Sequence, residues 1–229
     1  MRVLDRKPSP NASTALAMST PDPHSGFTDA RTTWDARFSQ PGLLFGDQPN
    51  AFLRREAHRI PAHSRVLSVA DGEGRNAIYL ADQGHTVTAF DLSPVAVDKA
   101  RRWAAERGAR VDFQVAGVDD WAWTTGAYDA VAAIFVQFAD PAMRARMFAG
   151  MWQTLAPGGL LLLHGYTPKQ LDYRTGGPGK LEHLYTEALV RELLPQAEWL
   201  LMREYEDDLA EGNGHAGRSA LLDAVARKR

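Results

Sequence analysis

The chain has 229 residues, 45% hydrophobic and 24% charged, a length and balance that suit one domain with a substantial core. Its formal net charge of −2 argues against a broad nucleic-acid-binding face, and the absence of cysteine excludes disulfides, thiolate metal sites and a cysteine nucleophile. No apolar run approaches the roughly 20 residues that cross a bilayer, and the N-terminus lacks an apolar signal core, so the chain reads as unexported and cytoplasmic, without a membrane span.

Residues 1–27 are rich in Pro, Ser, Thr and Asp and show no periodicity; they read as a disordered tail ahead of one domain over residues 28–229. "PNAFLRREAHRI" reads as a helix, with Leu53, Ala57 and Ile60 on one stripe that Phe52 widens. "RVLSVA" is a short apolar strand, "GRNAIYLADQG" a helix entered from glycine and closed by Gly84, and "TVTAFD" a second strand. In "SPVAVDKARRWAAERG" Ser93 caps a helix, Pro94 suits its first turn and Gly108 its left-handed end. "RVDFQV" and "YDAVAAIFV" are the third and fourth strands. Asp140 caps the next helix, where Met143, Met147, Met151 and Leu155 recur as a core stripe. "LAPGG" reads as a helix end and turn, "GLLLLHGY" as the fifth strand and "TEALVRELL" as a short helix. Two last strands, "EWLLMREYEDDL" and "RSALLDAVARK", flank the loop "AEGNGHAG".

Alternating strands and helices predict an α/β three-layer sandwich around a mostly parallel sheet, and the short last loop requires an antiparallel hairpin at its end. Gly72 and Gly74 follow the first strand and open a helix, where free backbone N–H groups and the helix dipole face a ligand. Asp91, closing the neighbouring strand, suits the two hydroxyls of a ribose. "GEGRNA" formally fits a dinucleotide fingerprint. Yet Asp71 and Glu73 make the turn acidic, which would repel a pyrophosphate and attract a nucleoside bearing an ammonium and a sulfonium.

With "VADGEGRN", Asp91, the "YDAV" strand and "LAPGG" in this order and spacing, the chain resembles the class I S-adenosylmethionine-dependent methyltransferases from about residue 30 onward. More narrowly it resembles the bacterial branch related to tellurite-resistance and thiopurine methyltransferases, through "WDARF…LFGDQPNAFL", "GEGRNAIYLADQGHTVTAFDLS", "TPKQLDYRTGGP" and "EGNGHAGRSALL". The resemblance implies a Rossmann-like, seven-stranded sheet of order 3-2-1-4-5-7-6 with strand 7 antiparallel, and S-adenosylmethionine as cofactor, leaving as S-adenosylhomocysteine. By position, Ala70, Asp71, Gly72 and Gly74 would wrap the methionine part, with Asn76 in the same cofactor set. Asp91 would hold the ribose and Leu92 the adenine face; Gly117 and Val118 would meet the adenine edge. Ile134 to Phe138 would line the path from methyl to acceptor, with Gln137 toward the substrate. The chain departs from many relatives at Ser68 (often an acid), Ala70 (often Gly), Gly117 (often Asp) and Gln137 (often His or aromatic); Asp119 and Asp120 stand near the adenine position instead.

Methyl transfer is an in-line displacement in which the protein supplies position and electrostatics. A soft sulfur, selenium or tellurium nucleophile on a small-molecule acceptor needs no base; an oxygen or amine does. His215 in the hairpin, with Glu211 and Asn213 nearby, is the candidate titratable group; its alternative is the solvated tip of a turn. Tyr166, Gln170 and Tyr173 are candidates for a substrate wall, with Gly176 and Gly177 as a hinge; the alternative is a plain surface loop. Trp34 and Arg37, with Phe38 and Phe45, are candidates to cover cofactor and substrate, or simply to cover the sheet. Arg101, Arg102, Arg107 and Arg110 read as a solvated helix face and its exit, too few and too balanced for nucleic acid. His58, His63 and His85 read as structural, with no metal spacing; His164, closing the fifth strand, reads as core, with a substrate contact as its alternative. Nucleic-acid and membrane partners are not expected, and the oligomeric state is open. Two other readings stand beside the methyltransferase: a nucleotide-dependent oxidoreductase on a doubly wound sheet, and a protein that binds S-adenosylmethionine without catalysis, as a regulator.

Overall fold

The computed structural model describes residues 30–212 and 214–229; the expected tail over 1–27 and Asn213 lie outside them. The parallel strands are β1 (Arg65–Val69), β2 (Thr86–Asp91), β3 (Val111–Val115), β4 (Tyr128–Ile134) and β5 (Leu155–Tyr166), and the hairpin is β6 (Glu198–Glu211) and β7 (His215–Arg227). The sheet order is β3-β2-β1-β4-β5-β7-β6, with β7 antiparallel to both neighbours, as expected. The helices are α1 (Ala30–Phe38), α2 (Ala51–Glu56), α3 (Arg75–Asp82), α4 (Pro94–Arg107), α5 (Pro141–Thr154), α6 (Gln170–Tyr173) and α7 (Glu187–Leu193). Successive strand residues are buried on opposite faces. Leu67, Val69, Val131 and Leu163 meet Met147 and Met151 of α5 on one side, while Val66, Ala89, Ala132 and Leu162 meet Leu80, Val97 and Ala100 on the other. Helices on both faces therefore explain why these strands read as continuous apolar runs rather than as alternation. Among the described residues no helix is long and apolar enough to cross a membrane.

Caps fall where the sequence places them. The Ser93 hydroxyl accepts from Ala96 N–H, Asp140 accepts from Met143 N–H, and Gly108 closes α4 at φ +69°. Four local expectations are corrected. The helix begun at Ala51 ends at Glu56 and tightens into a 3₁₀ turn over Ala57–Arg59, because Pro61 holds Ile60 extended. "LAPGG" is no separate turn: β5 begins at Leu155, which pairs with Tyr128, and the ladder resumes with Ala130 and Leu160, so residues 156–159 bulge between those pairs. The segment after β5 contains the single-turn α6. The eight-residue hairpin loop shrinks until Glu211 pairs directly with His215, because residues 44–46 clamp the tip; Gly214 N–H donates to Leu44 C=O at 3.1 Å. A Cβ at Gly212 (φ +64°) would lie 2.4 Å from Gly46 N, so this turn requires glycine.

Candidate functional site

One cavity of about 760 Å³ opens along the carboxyl ends of the strands, roofed by α1 and by the loop after α6. Its size lies within the range of about 300–1,000 Å³ common for small-molecule sites. The turn after β1 forms one end. Ala70 sits there at φ +48°, a left-handed conformation costly for a residue with a Cβ, and glycine at this position would relieve it. Gly72 N–H donates to Asp91 Oδ2 at 2.9 Å, and Ser93 N–H donates to Oδ1 at 2.9 Å. Each Asp91 oxygen thus keeps acceptor capacity for a further donor, at a side chain that lines the cavity. The Asp71 carboxylate accepts from the Ser68 hydroxyl at 2.6 Å, so Ser68 holds the acid of the turn. Burial pushes Asp71 up to about 7 and Asp91 up to about 6. Two poorly hydrated carboxylates beside an open cavity favour a ligand that brings positive charge and hydroxyl donors. The residues present therefore fit a sulfonium nucleoside.

Asn76, Leu92, Gly117, Val118 and Ile134 also line the cavity. The Asn76 side-chain oxygen already accepts from Asn50 N–H at 2.9 Å, so it anchors the α2 entry. A Cβ on Gly117 would stand 3.1 Å from Asp120 Oδ2, so glycine keeps Asp120 close to the cavity wall. Two assignments are corrected. Gly74 does not reach the cavity: at φ +95°, its missing Cβ would lie 2.9 Å from Ala100 Cβ and 3.1 Å from the Phe113 ring, so it lets α3 pack against its neighbours. Glu73 is turned away from the ligand end; it bonds Lys99 at 3.0 Å and accepts from Leu44 N–H at 2.7 Å, leaving Asp71 as the acid of the turn that faces the cavity.

The other end is aromatic. His215 is 7% exposed, not a solvated tip. Its ring stacks between Phe45 at 4.5 Å and Phe135 at 4.0 Å, and its Nδ1 pairs with the Tyr166 hydroxyl at 2.6 Å. Burial, reinforced by Arg75, His164 and Arg37, holds its pKa well below the ordinary value, so it is neutral at physiological pH. Burial likewise raises the Tyr166 phenol above its ordinary range. Glu211 is engaged elsewhere: it pairs with Arg75 at 2.6 Å and accepts from Asn50 Nδ2 and Ala51 N–H, locking the hairpin to α2. Trp34 and Arg37 of α1 line the cavity, and the α1 Phe38 ring stands 3.3 Å from where a Gly72 Cβ would be.

Three proposed substrate contacts take other roles. Gln137 lines the cavity, but its amide bridges Tyr166 N–H and C=O and His183 C=O, bracing β5. Gln170 lies outside the cavity and is 1% exposed; it accepts from Ala220 N–H and donates to Thr175 and Gly176, which fixes the glycine-rich loop. Tyr173 also lies outside, with its hydroxyl donating to Glu206 at 2.5 Å. His164 is buried against Asp223 at 2.7 Å, in keeping with a core role. The sequence reading missed Lys180 and His183, both in the cavity wall, and treated Met143 as core although it lines the wall too. For Lys180 the available signal was the glycine run "GGPG" before it, which lets a strap cross the cavity. Among the described residues no group of acids and histidines is arranged to hold a metal ion.

Residues 66–159 match a family model described as a methyltransferase domain. The 2-heptyl-1-hydroxyquinolin-4(1H)-one methyltransferase of Mycobacteroides abscessus is 33% identical over 85 residues, 37% of each chain. The tRNA 5-carboxymethoxyuridine methyltransferase of Escherichia coli (strain K12) is 27% identical over 202 residues, 74% of this chain and 76% of that one. The match spans 37% of the quinolone methyltransferase and 43% of a ubiquinone biosynthesis O-methyltransferase of Xanthomonas axonopodis. Among solved structures, TehB from Haemophilus influenzae superposes with a TM-score of 0.65 at 17% identity, over 87% of this chain and 67% of that one. The N-methyltransferase NodS from Bradyrhizobium japonicum, in complex with S-adenosyl-L-homocysteine, gives 0.64 at 16% identity, over 86% and 97%. At these identities the superpositions speak to the fold.

Proposed function

We propose that the chain, whose residues 66–159 match a methyltransferase domain, is a class I S-adenosylmethionine-dependent methyltransferase that methylates a small-molecule acceptor. The observation that carries this reading is the single cavity running from the Gly72–Asp91 pair to the His215–Tyr166 pair. Bound at the first pair, S-adenosylmethionine supplies an electrophilic methyl group on a sulfonium. Asp91 accepts from the ribose hydroxyls, Asp71 faces the amino-acid end, and Leu92, Gly117 and Val118 enclose the adenine. Phe38 and Trp34 exclude water from above.

At the far end His215 works as a neutral imidazole. With Nδ1–H donating to the Tyr166 oxygen, Nε2 keeps its lone pair and takes the proton of a hydroxyl or thiol acceptor. A soft sulfur, selenium or tellurium nucleophile that arrives ionised needs only the positioning that Phe135 and Tyr166 provide. The relatives' names span a quinolone, a ubiquinone precursor pathway and a tRNA. A net charge of −2 and acids along one half of the cavity favour a small acceptor over RNA. We place the protein in the cytoplasm on its cysteine-free composition.

Isothermal titration with S-adenosylmethionine, S-adenosylhomocysteine and NADH tests the cofactor. Binding of the first two without NADH is expected, and NADH binding alone would return the chain to the oxidoreductases. Release of S-adenosylhomocysteine across an acceptor panel that includes tRNA then tests turnover; tight binding with no release from any acceptor would favour the regulatory reading.

A further inference from the structure

Two cations in the cavity wall have no acidic partner among the described residues. Among the described residues Arg37 makes no side-chain hydrogen bond or ion pair; its guanidinium lies over the Trp34 ring at 4.5 Å and stands 6.0 Å from Phe45. Burial holds its pKa below the ordinary value, the mark of a charge short of solvent and of counter-ion. Lys180 lines the same cavity and likewise makes no side-chain hydrogen bond or ion pair.

Arg37 reaches the His215–Tyr166 pair through Phe45, and Lys180 follows a strap packed against that pair. Phe45, beside Arg37, stacks on His215. The strap leading to Lys180 presses on the same pair: a Cβ at Gly177 would lie 2.6 Å from the Tyr166 ring, and one at Gly176 would lie 3.2 Å from Gly214 C=O. The acids of the cavity stand elsewhere. Asp91 closes β2, Asp71 and Asp120 lie beyond β1 and β3, Asp119 is paired with Arg146, and Asp140 caps α5. The acids of the wall thus gather toward β1–β3, Arg75 is taken by Glu211, and Arg37 on α1 and Lys180 on the strap stand without an acid among the described residues. Phe45 and Phe135 sandwich His215, and Phe138, Met143 and Tyr166 add apolar wall to the same cavity.

We propose that the acceptor is a planar aromatic acid, its ring against Phe135 and its carboxylate held by Arg37 and Lys180. This rests on the methyltransferase reading and names the substrate class of the same site. A cationic nucleoside beside the acids and an anion between Arg37 and Lys180 satisfy both sets of charges at once. Charge-assisted hydrogen bonds of this kind separate an acid from its uncharged isostere by about tenfold or more. The carboxylate of the nucleoside's own amino-acid end is the second possible partner for Arg37, and the test separates the two.

Protein saturated with S-adenosylhomocysteine is titrated with benzoate, salicylate and 4-hydroxybenzoate and with their primary amides, by calorimetry and ligand-observed NMR. At least one acid is expected to bind about tenfold tighter than its amide. Lys180→Met and Arg37→Met are each expected to erase most of that preference, with Lys180→Met keeping wild-type affinity for S-adenosylhomocysteine. Binding of no acid, or of acid and amide alike, overturns the proposal. So does an Arg37→Met variant that keeps the acid preference and loses affinity for S-adenosylhomocysteine but not for 5′-methylthioadenosine, because the carboxylate then belongs to the nucleoside. A wild-type protein that fails to bind S-adenosylhomocysteine at all strikes the methyltransferase reading itself, and this proposal with it.

Discussion

Asp91→Asn removes one charge and exchanges one acceptor for a donor at a side chain only 8% exposed. In the native turn its two oxygens accept from Gly72 N–H and Ser93 N–H, both at 2.9 Å. The amide oxygen can satisfy one of these; the amide nitrogen then faces the other donor. Leaving one buried N–H without an acceptor costs about 1–3 kcal/mol, which lowers the unfolding free energy by that amount. The same substitution removes the charge-assisted bonds to the ribose hydroxyls, worth about 1.5–3 kcal/mol. S-adenosylhomocysteine should therefore bind at least about tenfold more weakly, since each tenfold is about 1.4 kcal/mol. Calorimetry above the Asp91 pKa of about 6 reads the affinity with the wild-type carboxylate ionised. 5′-Methylthioadenosine, which keeps the ribose and lacks the amino-acid end, should lose the same factor. A folded variant that binds S-adenosylhomocysteine within threefold of wild type would refute the ribose role. Equal losses of stability and no loss of affinity would reduce Asp91 to a brace for the turn.

Burial raises Asp91 to about 6 and Asp71 to about 7, above the roughly 3.9 of an unfolded chain. The folded protein holds these protons more tightly, so their contribution to stability is complete below the unfolded value and lost as pH rises through 6 and 7. A cationic nucleoside favours the ionised forms, so affinity rises across that interval and binding near pH 6 releases protons. Calorimetry in two buffers of different ionisation heat checks this, and identical apparent enthalpies would contradict it. Gly74→Ala brings a Cβ to 2.9 Å from Ala100 Cβ at φ +95°, and should cost roughly 1–3 kcal/mol of stability in a denaturant titration. Its residual affinity for S-adenosylhomocysteine should stay near wild type, because position 74 does not line the cavity. Tyr166→Phe leaves His215 Nδ1 without its 2.6 Å partner and should cost about 1 kcal/mol. In that variant the rate with a hydroxyl acceptor should fall more than affinity for S-adenosylhomocysteine, and an unchanged rate would remove the pair from the chemistry.

Strand and helix alternation, the caps at Ser93 and Asp140 and the glycine turn before α3 are legible along the chain because each depends on near neighbours. Asp91 is legible for the same reason: it closes a strand that lies beside β1, so the sheet carries it to the turn. The direction of a side chain is another matter. Glu73 and Asp71 are two residues apart in one turn, yet Lys99 and Leu44 draw the first outward while Ser68 holds the second in. His215 reads equally as a pocket group or as the solvated tip of a turn, and only Phe45, Phe135 and Tyr166, each more than 40 positions away, make it a buried neutral imidazole. Gln170 and Tyr173 read as a substrate wall until Ala220 and Glu206 claim them, and Lys180 reads as nothing until its glycine strap crosses the cavity. The sequence by itself determined the sheet, its turns and the place of Asp91 beside the glycine turn, through local periodicity and backbone constraint. The tertiary structure alone decided which polar groups face the ligand, because long-range packing and competing hydrogen bonds choose among rotamers that a local pattern leaves equivalent.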